Sequence, residues 1–319
     1  MKLIEIFFLG TSSGIPSKNA PLPSIAIRTS KYNILLDCGE GTQERYIKAG
    51  LGVNRPLIVL ISHMHGDHIY GLPGLLHTFS LLGRKKKIKI IGPRGLKDFI
   101  LTTLHSGGQK LEYDLDIVEL TQNEETVLLD NLTIIAKITP HSVENYAYKL
   151  QEKDKPGKVM MDKLRKLGVR SGPLIGKLKR GIPVKLPSGL ILRPEEYLGP
   201  PIPGISIVYS GDTPPNPGLI SLSKNVDVLI HESTFSSDLV RNAQISKHST
   251  TIDAANVALL SNAKILILTH ISPRYRDKLP LLEEARKIFP LTFIAKKGLR
   301  IKISKKSFYI TYYFDLISL

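Results

Sequence analysis

Three imidazoles and a carboxylate fall within six residues in the run His63-Met64-His65-Gly66-Asp67-His68. Imidazole and carboxylate together suit a divalent metal, zinc first, with manganese or iron also compatible. The spacing can feed two ions from one loop. His63 and His65 are alternate residues and can point the same way, while Asp67 and His68 can serve a neighbouring ion. A polar turn without function is the competing reading. A run this dense in ligand types, placed directly after the apolar stretch 57–61, argues against it. Further ligand types end other apolar stretches, where chemistry is commonly placed. His141 follows 134–140, Asp212 follows 205–209 within Ser210-Gly211-Asp212-Thr213, and His270 follows 264–269. Two cations held about 3.5–4 Å apart need a bridging carboxylate, and Asp212, alone in its Gly-Asp turn, suits that place. Asp37 ends 33–36 and suits orienting the His63 loop by hydrogen bonding.

Proton-transfer types also stand at strand and helix ends. His231-Glu232-Ser233-Thr234 closes the stretch 226–231, and His248-Ser249-Thr250 precedes a helix that starts near 251. A histidine oriented by a carboxylate can donate a proton to a leaving alkoxide, and Glu232 with His248 could form that pair. A structural turn and an ordinary capped helix, with Ser249 or Thr250 at the cap, explain the same residues.

The elements that must position these groups alternate. Strands are predicted over 2–9, 24–29, 33–37, 57–61, 87–91, 126–128, 132–139, 145–151, 205–210, 226–231, 264–269, 291–295, 299–303 and 307–313. Helices are predicted over 42–50, 71–82, 95–106, 251–261 and 281–289. The strand–loop–helix order occurs once in each half. This pattern predicts an α/β chain, with two mixed sheets packed face to face and helices outside.

Residues 151–204 break the pattern, being rich in Gly, Pro and Lys. A short helix is predicted within 162–167, and Gly172–Gly181 reads as an irregular or hairpin arm. The chain carries +16 net charge. Between 151 and 193 it has 12 Lys/Arg against 3 acids, which is more than half of that surplus. Such a concentration favours a polyanionic partner. A second basic cluster, Arg84–Lys87 with Lys89, reads as a solvated loop and strand start. One cysteine, Cys38, excludes disulfides within the chain and suits a reducing compartment. No uncharged apolar run reaches the length needed to span a bilayer. A cytoplasmic protein without membrane association is expected.

These motifs resemble the metallo-β-lactamase superfamily and, within it, the short form of the ribonuclease Z family. The ligand set at 63–68, 141, 212 and 270 carries the wider likeness. Phe8–Pro16, Leu36–Gln43, Ser62–Leu75, His231–Thr234, His248–Thr250 and Thr269–Ser272 carry the narrower one. The arm Gly172–Gly181, followed by Leu198–Pro201, resembles that family's tRNA-gripping exosite. The resemblance implies an αββα sandwich over 1–319 as a single catalytic domain, with 151–204 as an inserted arm. It implies two zinc ions per subunit, with manganese possible. His63, His65 and His141 would hold one, Asp67, His68 and His270 the other, and Asp212 would bridge. A hydroxide between them, positioned or deprotonated by Asp67, would attack the phosphate after the discriminator nucleotide of precursor tRNA. His248, oriented by Glu232, would protonate the departing 3′ oxygen. The products would be a tRNA 3′ hydroxyl and a trailer with a 5′ phosphate. Lys163, Arg165, Lys166, Lys177, Lys179 and Arg180 of the arm would contact tRNA, in a homodimer whose arms grip tRNA cut by the other subunit.

The sequence departs from the family pattern twice. Pro16-Ser17-Lys18-Asn19-Ala20-Pro21 lacks the arginine and asparagine common in this loop, which the resemblance sets near the tRNA 3′ end. Lys297 stands where an acidic residue is common. A relative acting on small esters would need the metals but not the arm. An RNA-binding protein with a vestigial site would need the arm but not the ligands, all of which are present.

Overall fold

The computed structural model describes residues 3–312 apart from 18, 109 and 306. Residue 2 of the first predicted strand, Lys18 of the 16–21 loop and Tyr313 of the last predicted strand lie outside the described residues. The chain divides into two compact units, Met1–Leu150 with Ser206–Leu319, and Gln151–Ile205.

The larger unit opens with β1 (Ile4–Gly10), β2 (Ser24–Arg28), β3 (Asn33–Leu36), β4 (Leu57–Leu60), β5 (Ile88–Gly92) and β6 (Leu115–Glu119). Between them lie α1 (Thr42–Lys48), α2 (Gly66–Ile69), α3 (Gly71–Leu81) and α4 (Leu96–Ser106). The chain then enters a second sheet through β7 (Glu124–Leu128), β8 (Leu132–Thr139) and β9 (Asn145–Glu152). The smaller unit follows, with α5 (Met161–Lys166), α6 (Pro173–Lys179), the hairpin β10 (Val184–Lys185) and β11 (Ile191–Leu192), and α7 (Pro194–Tyr197). The second sheet resumes with β12 (Ser206–Tyr209), β13 (Val228–Glu232), β14 (Leu266–Thr269) and β15 (Thr292–Ile294). Interleaved are α8 (Pro217–Leu222), α9 (Val240–Ser246), α10 (Thr251–Leu260) and α11 (Leu279–Arg286). Strands β16 (Leu299–Ser304) and β17 (Ser307–Tyr312) rejoin the first sheet.

Both sheets are mixed. The first runs β17-β16-β1-β2-β3-β4-β5-β6, antiparallel up to β3 and parallel from there. The second runs β15-β14-β13-β12-β9-β8-β7, with its β12–β15 half parallel. Successive residues of a strand face opposite ways, and here both ways are buried. Phe7, Leu9, Leu35 and Val59 pack with Tyr46, Leu72, Leu76, Phe79 and Ile100 of the helices outside the first sheet. Val208, Leu229 and Leu266 pack with Leu219, Ala254, Ala258 and Leu281 outside the second. The intervening Ile34, Leu36, Leu60, Ile207, Tyr209 and Ile230 are buried as well. Continuous apolar strands such as Leu57–Leu60 therefore belong to a sheet covered on both sides. Tyr146 N–H donates to the Ser62 carbonyl, and Tyr148 Oη to the Ile61 carbonyl at 2.7 Å, joining the two sheets at the end of β4. The αββα sandwich expected from the alternation is the fold of the larger unit.

The differences from the predicted elements are local. β6 was not predicted, because all five of its residues are half-buried and no apolar alternation marks them. α8 and α9 are too short to show a period. In the smaller unit, the residues read as an irregular or hairpin arm contain α6. Pro173 starts it with a φ already suited to a first turn, and Leu178 turns into a small core with Leu164, Val184 and Leu192. Gly176 in its middle hid the helix from propensity.

One close backbone approach ties the first sheet to the ligand loop. Cys38 N–H donates to the His68 carbonyl, and Gly71 N–H to the Cys38 carbonyl. A Cβ on Gly39 would stand 2.5 Å from the Asp67 carbonyl oxygen. Gly39→Ala should therefore cost about 1–3 kcal/mol by forcing these backbones apart. Urea unfolding measures the loss, and a midpoint equal to the parent's would contradict the close approach.

Candidate metal centre

The run 63–68 leaves β4 and turns into α2, so its side chains stand at the C-terminal end of a parallel strand. Asp37 ends β3, Asp212 follows β12, His270 follows β14, and His141 lies just past β8. The fold brings all of these together. One ligand atom each from His63, His65 and His141 lies within 4.8 Å of the others, as do those of Asp67, His68 and His270, and of His63, His68 and Asp212. Asp212 Oδ2 is 3.7 Å from His63 Nε2, 3.3 Å from His68 Nε2 and 3.2 Å from His270 Nε2. One carboxylate therefore faces histidines from both groups.

Ring nitrogens converge here. His63 Nε2 is 3.0 Å from His65 Nδ1, and His68 Nε2 is 3.3 Å from His270 Nε2. Asp212 Oδ1 is buried without a hydrogen-bond partner among the described residues. An unsatisfied buried carboxylate oxygen is costly. Cations between these donors would satisfy it, and the N/O donor set fits zinc or manganese. Burial holds the His63, His65 and His141 imidazoles below their usual pKa. They are therefore neutral, the form that ligates. Burial opposes ionisation of Asp212 and Asp67, but His270 and His68 outweigh it and hold both carboxyls well below the usual range. Burial opposes protonation of His68 too, yet Asp212 and Asp37 on either side push it well above the usual value.

Two fully buried carboxylates orient the constellation. Asp37 accepts from Ser62 N–H at 2.7 Å, Ser62 Oγ at 2.8 Å, His68 Nδ1 at 2.7 Å and Tyr209 Oη at 2.6 Å. Ser62 Oγ in turn lies 2.9 Å from His63 Nδ1. Asp37 thus sets His68 directly and His63 through Ser62, turning both Nε2 atoms into the cluster. Glu232 accepts from the backbone N–H groups of Thr213, Thr234 and Ser249. Its Oε1 is 2.8 Å from His248 Nδ1, and its Oε2 accepts from Thr234 Oγ1 at 2.9 Å. The Thr234 hydroxyl lies 2.9 Å from His270 Nδ1 and so accepts its proton. Burial opposes charge on His248, but the adjacent Glu232 carboxylate raises it to about 9. His141 Nδ1 is 3.0 Å from the carbonyl of Lys247.

Asp37 and His270 both hold left-handed backbone, each with φ of 56°. Asp and His tolerate that region better than most side chains, at some cost in strain. Tyr209 and Lys247 carry no mark in the sequence and act across the fold; Ser62 and Thr234 stand within the runs 62–75 and 231–234, beside His63 and Glu232, without a role assigned to them there. His77 and His105 lie on α3 and α4 and belong to none of these groups of ligand atoms. The arm residues Lys163, Arg165 and Lys166 lie on α5, and Lys177 and Lys179 on α6 with Arg180 at its end, while Leu164 and Leu178 are buried. Lys163 Nζ reaches the Glu196 carbonyl at 3.4 Å and Arg165 reaches Asp162 at 3.4 Å, both exposed.

Two mixed sheets sandwiched by helices, with a His/Asp cluster at the strand ends, define a protein of the metallo-β-lactamase fold. Residues 4–154 match the family described as anti-Pycsar protein Apyc1. Ribonuclease Z of Prochlorococcus marinus (strain MIT 9312) is 44% identical over 304 residues, covering 92% of this chain and 97% of that protein. The crystal structure of human tRNase Z, short form, matches with a TM-score of 0.69 and 25% identity, covering 94% of this chain and 98% of that one. The metallo-β-lactamase fold protein YhfI of Bacillus subtilis shares the fold, with a TM-score of 0.65 and 20% identity over 95% of this chain and 100% of that one. The chain belongs to the ribonuclease Z family.

Replacing the Asp37 carboxylate should loosen ligands of both groups together, since it sets His68 directly and His63 through Ser62. Asp37→Asn is expected to lower zinc affinity about 10–100-fold, with Ser62→Ala costing less because it frees His63 alone. Competition against a chromophoric chelator reads both constants. Unchanged affinity in Asp37→Asn would show that the carboxylate does not orient the ligands.

Proposed function

We propose that the chain is a zinc-dependent endoribonuclease that removes the 3′ trailer of precursor tRNA after the discriminator nucleotide. The observation that carries this is the convergence of seven His and Asp side chains beside a paired Glu232 and His248, in a member of the ribonuclease Z family. We assign His63, His65 and His141 to one zinc ion, Asp67, His68 and His270 to a second, and Asp212 to both; manganese is a compatible alternative. Such cations neutralise phosphodiester charge and lower the pKa of water, which hydrolysis at neutral pH requires.

The side chains divide the remaining work. Asp67 is held by Gly14 N–H, which donates to its Oδ2 at 2.9 Å. Ionised, it accepts a hydrogen bond from the attacking water and aims it at phosphorus. His248 gives its Nδ1 proton to the bond with Glu232, so Nε2 is the nitrogen that donates to the departing 3′ oxygen. This releases a tRNA 3′ hydroxyl and leaves a 5′ phosphate on the trailer. The exposed cations of the smaller unit, Lys163, Arg165, Lys166, Lys177, Lys179 and Arg180, contact the tRNA backbone. We infer a cytoplasmic homodimer in which each arm holds tRNA cut by the other subunit. No helix among the described residues is long and apolar enough to cross a membrane.

His248→Ala should lower the cleavage rate about 10²–10⁴-fold. Glu232→Gln should act through pH. The carboxylate raises the His248 pKa, so its loss lets burial dominate and the charged donor disappears at lower pH. The falling alkaline limb of the rate profile should therefore move to lower pH than the parent's. A limb that stays in place in Glu232→Gln would remove His248 from the donor role.

Deleting 155–195 should abolish cleavage of precursor tRNA while sparing hydrolysis of a small aryl phosphodiester. Parent affinity for tRNA should fall steeply with salt, with a log–log slope of about −0.9 per phosphate contacted. Equal loss of both activities, or a flat salt response, would contradict the assignment of the arm.

A further inference from the structure

Both positions at which the sequence departs from the family pattern line one cavity. Its volume is about 810 Å³, within the range of small-ligand sites. Ser17, Asn19 and Ala20 form one wall, and Lys296 and Lys297 another. The segment after His270 supplies Arg276 and Lys278. The one carboxylate on the wall, Asp277, accepts from the N–H of Leu279 at 2.9 Å. Among the described residues no carboxylate pairs with Arg276, Lys278 or Lys296. Lys278 is half-buried, and its burial, with Lys296 nearby, lowers its pKa. Like charges gathered this way are unfavourable without an anion between them. Apart from Thr11, the remaining lining is apolar or aromatic, including Leu282, Ile294 and Tyr312.

The cavity adjoins the candidate metal centre. Its wall residue Thr11 accepts at its carbonyl from Ile271 N–H at 3.2 Å, and Ser12 bridges to the same residue, next to His270. Gly14, three positions on, holds Asp67. Pro273 on the wall is three residues from His270, about 10 Å at most along an extended chain.

We propose that this cavity is a binding site for a phosphorylated nucleotide unit, its phosphate on Arg276, Lys278 and Lys296 and its base against the apolar and aromatic wall. Cations beside an aromatic surface are the combination that takes single-stranded nucleic acid without sequence preference. Two sources present this chemistry: the RNA strand of the substrate as it continues past the centre, and a free mononucleotide. The binding site itself does not require the nuclease reading; the first source rests on it.

Binding of a fluorescent, 5′-phosphorylated single-stranded RNA tetramer to the zinc-loaded full chain tests this. Lys278→Gln with Lys296→Gln should weaken binding at least tenfold and flatten its salt slope by about 1.4, as expected for two lost single-strand phosphate contacts. Lys296→Glu, a change at an exposed position that leaves the core intact, should also weaken it; Lys278→Arg with Lys296→Arg should restore it. Uridine or adenosine monophosphate that displaces the tetramer would identify free nucleotides as ligands as well. Displacement only by longer RNA would identify the substrate strand. Equal affinity in parent and both charge-changing variants would overturn the proposal. A chain that bound the tetramer through these lysines yet cut no precursor tRNA would instead overturn the nuclease reading and leave the site standing.

Discussion

Two carboxylates, Asp37 and Glu232, sit fully inside the larger unit and accept the hydrogen bonds that orient His63, His68, His248 and His270, directly or through one hydroxyl. Burying a charge is tolerated only where hydrogen bonds compensate it, and each carboxylate accepts several. The consequence reaches the surface of the site. A histidine that spends its Nδ1 proton on a carboxylate or hydroxyl keeps the Nε2 lone pair free. The Nδ1 atoms of His63, His68 and His270 are fixed from behind, by Ser62, Asp37 and Thr234, and their Nε2 atoms turn into the cluster. Their orientation is decided by groups that never face the substrate.

The sheets make this arrangement possible. Asp37 and the 63–68 run end adjacent parallel strands of one sheet; Asp212, Glu232 and His270 end adjacent parallel strands of the other. Side chains at the ends of neighbouring parallel strands lie about one strand spacing apart, roughly 4.8 Å. That is close enough for ligands of one ion to come from different strands. The tyrosine at the end of β12 crosses to Asp37 at 2.6 Å, so the orienting network of one sheet is closed by a residue of the other. Packing and site geometry are thus a single constraint: a shift between the sheets would move Tyr209 and Asp212 together.

Sequence patterning made the sandwich and the metal cluster legible for the same reason. Ligand types placed directly after apolar runs must fall at sheet edges, and His63, His141, Asp212 and His270 all do. The histidine–carboxylate pair was legible only as an option, since Glu232 and His248 are 16 positions apart and either could have been a cap. Tyr209 could not be found by spacing, because a lone hydroxyl shows no pattern and its partner Asp37 lies across the fold; Thr234 stood beside Glu232 in the run 231–234, but its link to His270 spans 36 positions. β6 and α6 escaped for a different reason. The first is half-buried throughout, and the second is short and broken by Gly176, so neither has a period to read.

Sharing Glu232 between His248 and, through Thr234, His270 has a chemical consequence. The carboxylate supports the charged His248 imidazole on one side and orients the His270 imidazole on the other, using its two oxygens separately. Oε1 faces His248 directly, where a full charge is stabilised by a full charge. Oε2 reaches His270 only through a hydroxyl, which passes on orientation but little field. The intervening hydroxyl thus leaves two imidazoles, whose rings stack 5.5 Å apart, differently coupled to one carboxylate, His248 directly and His270 through Thr234.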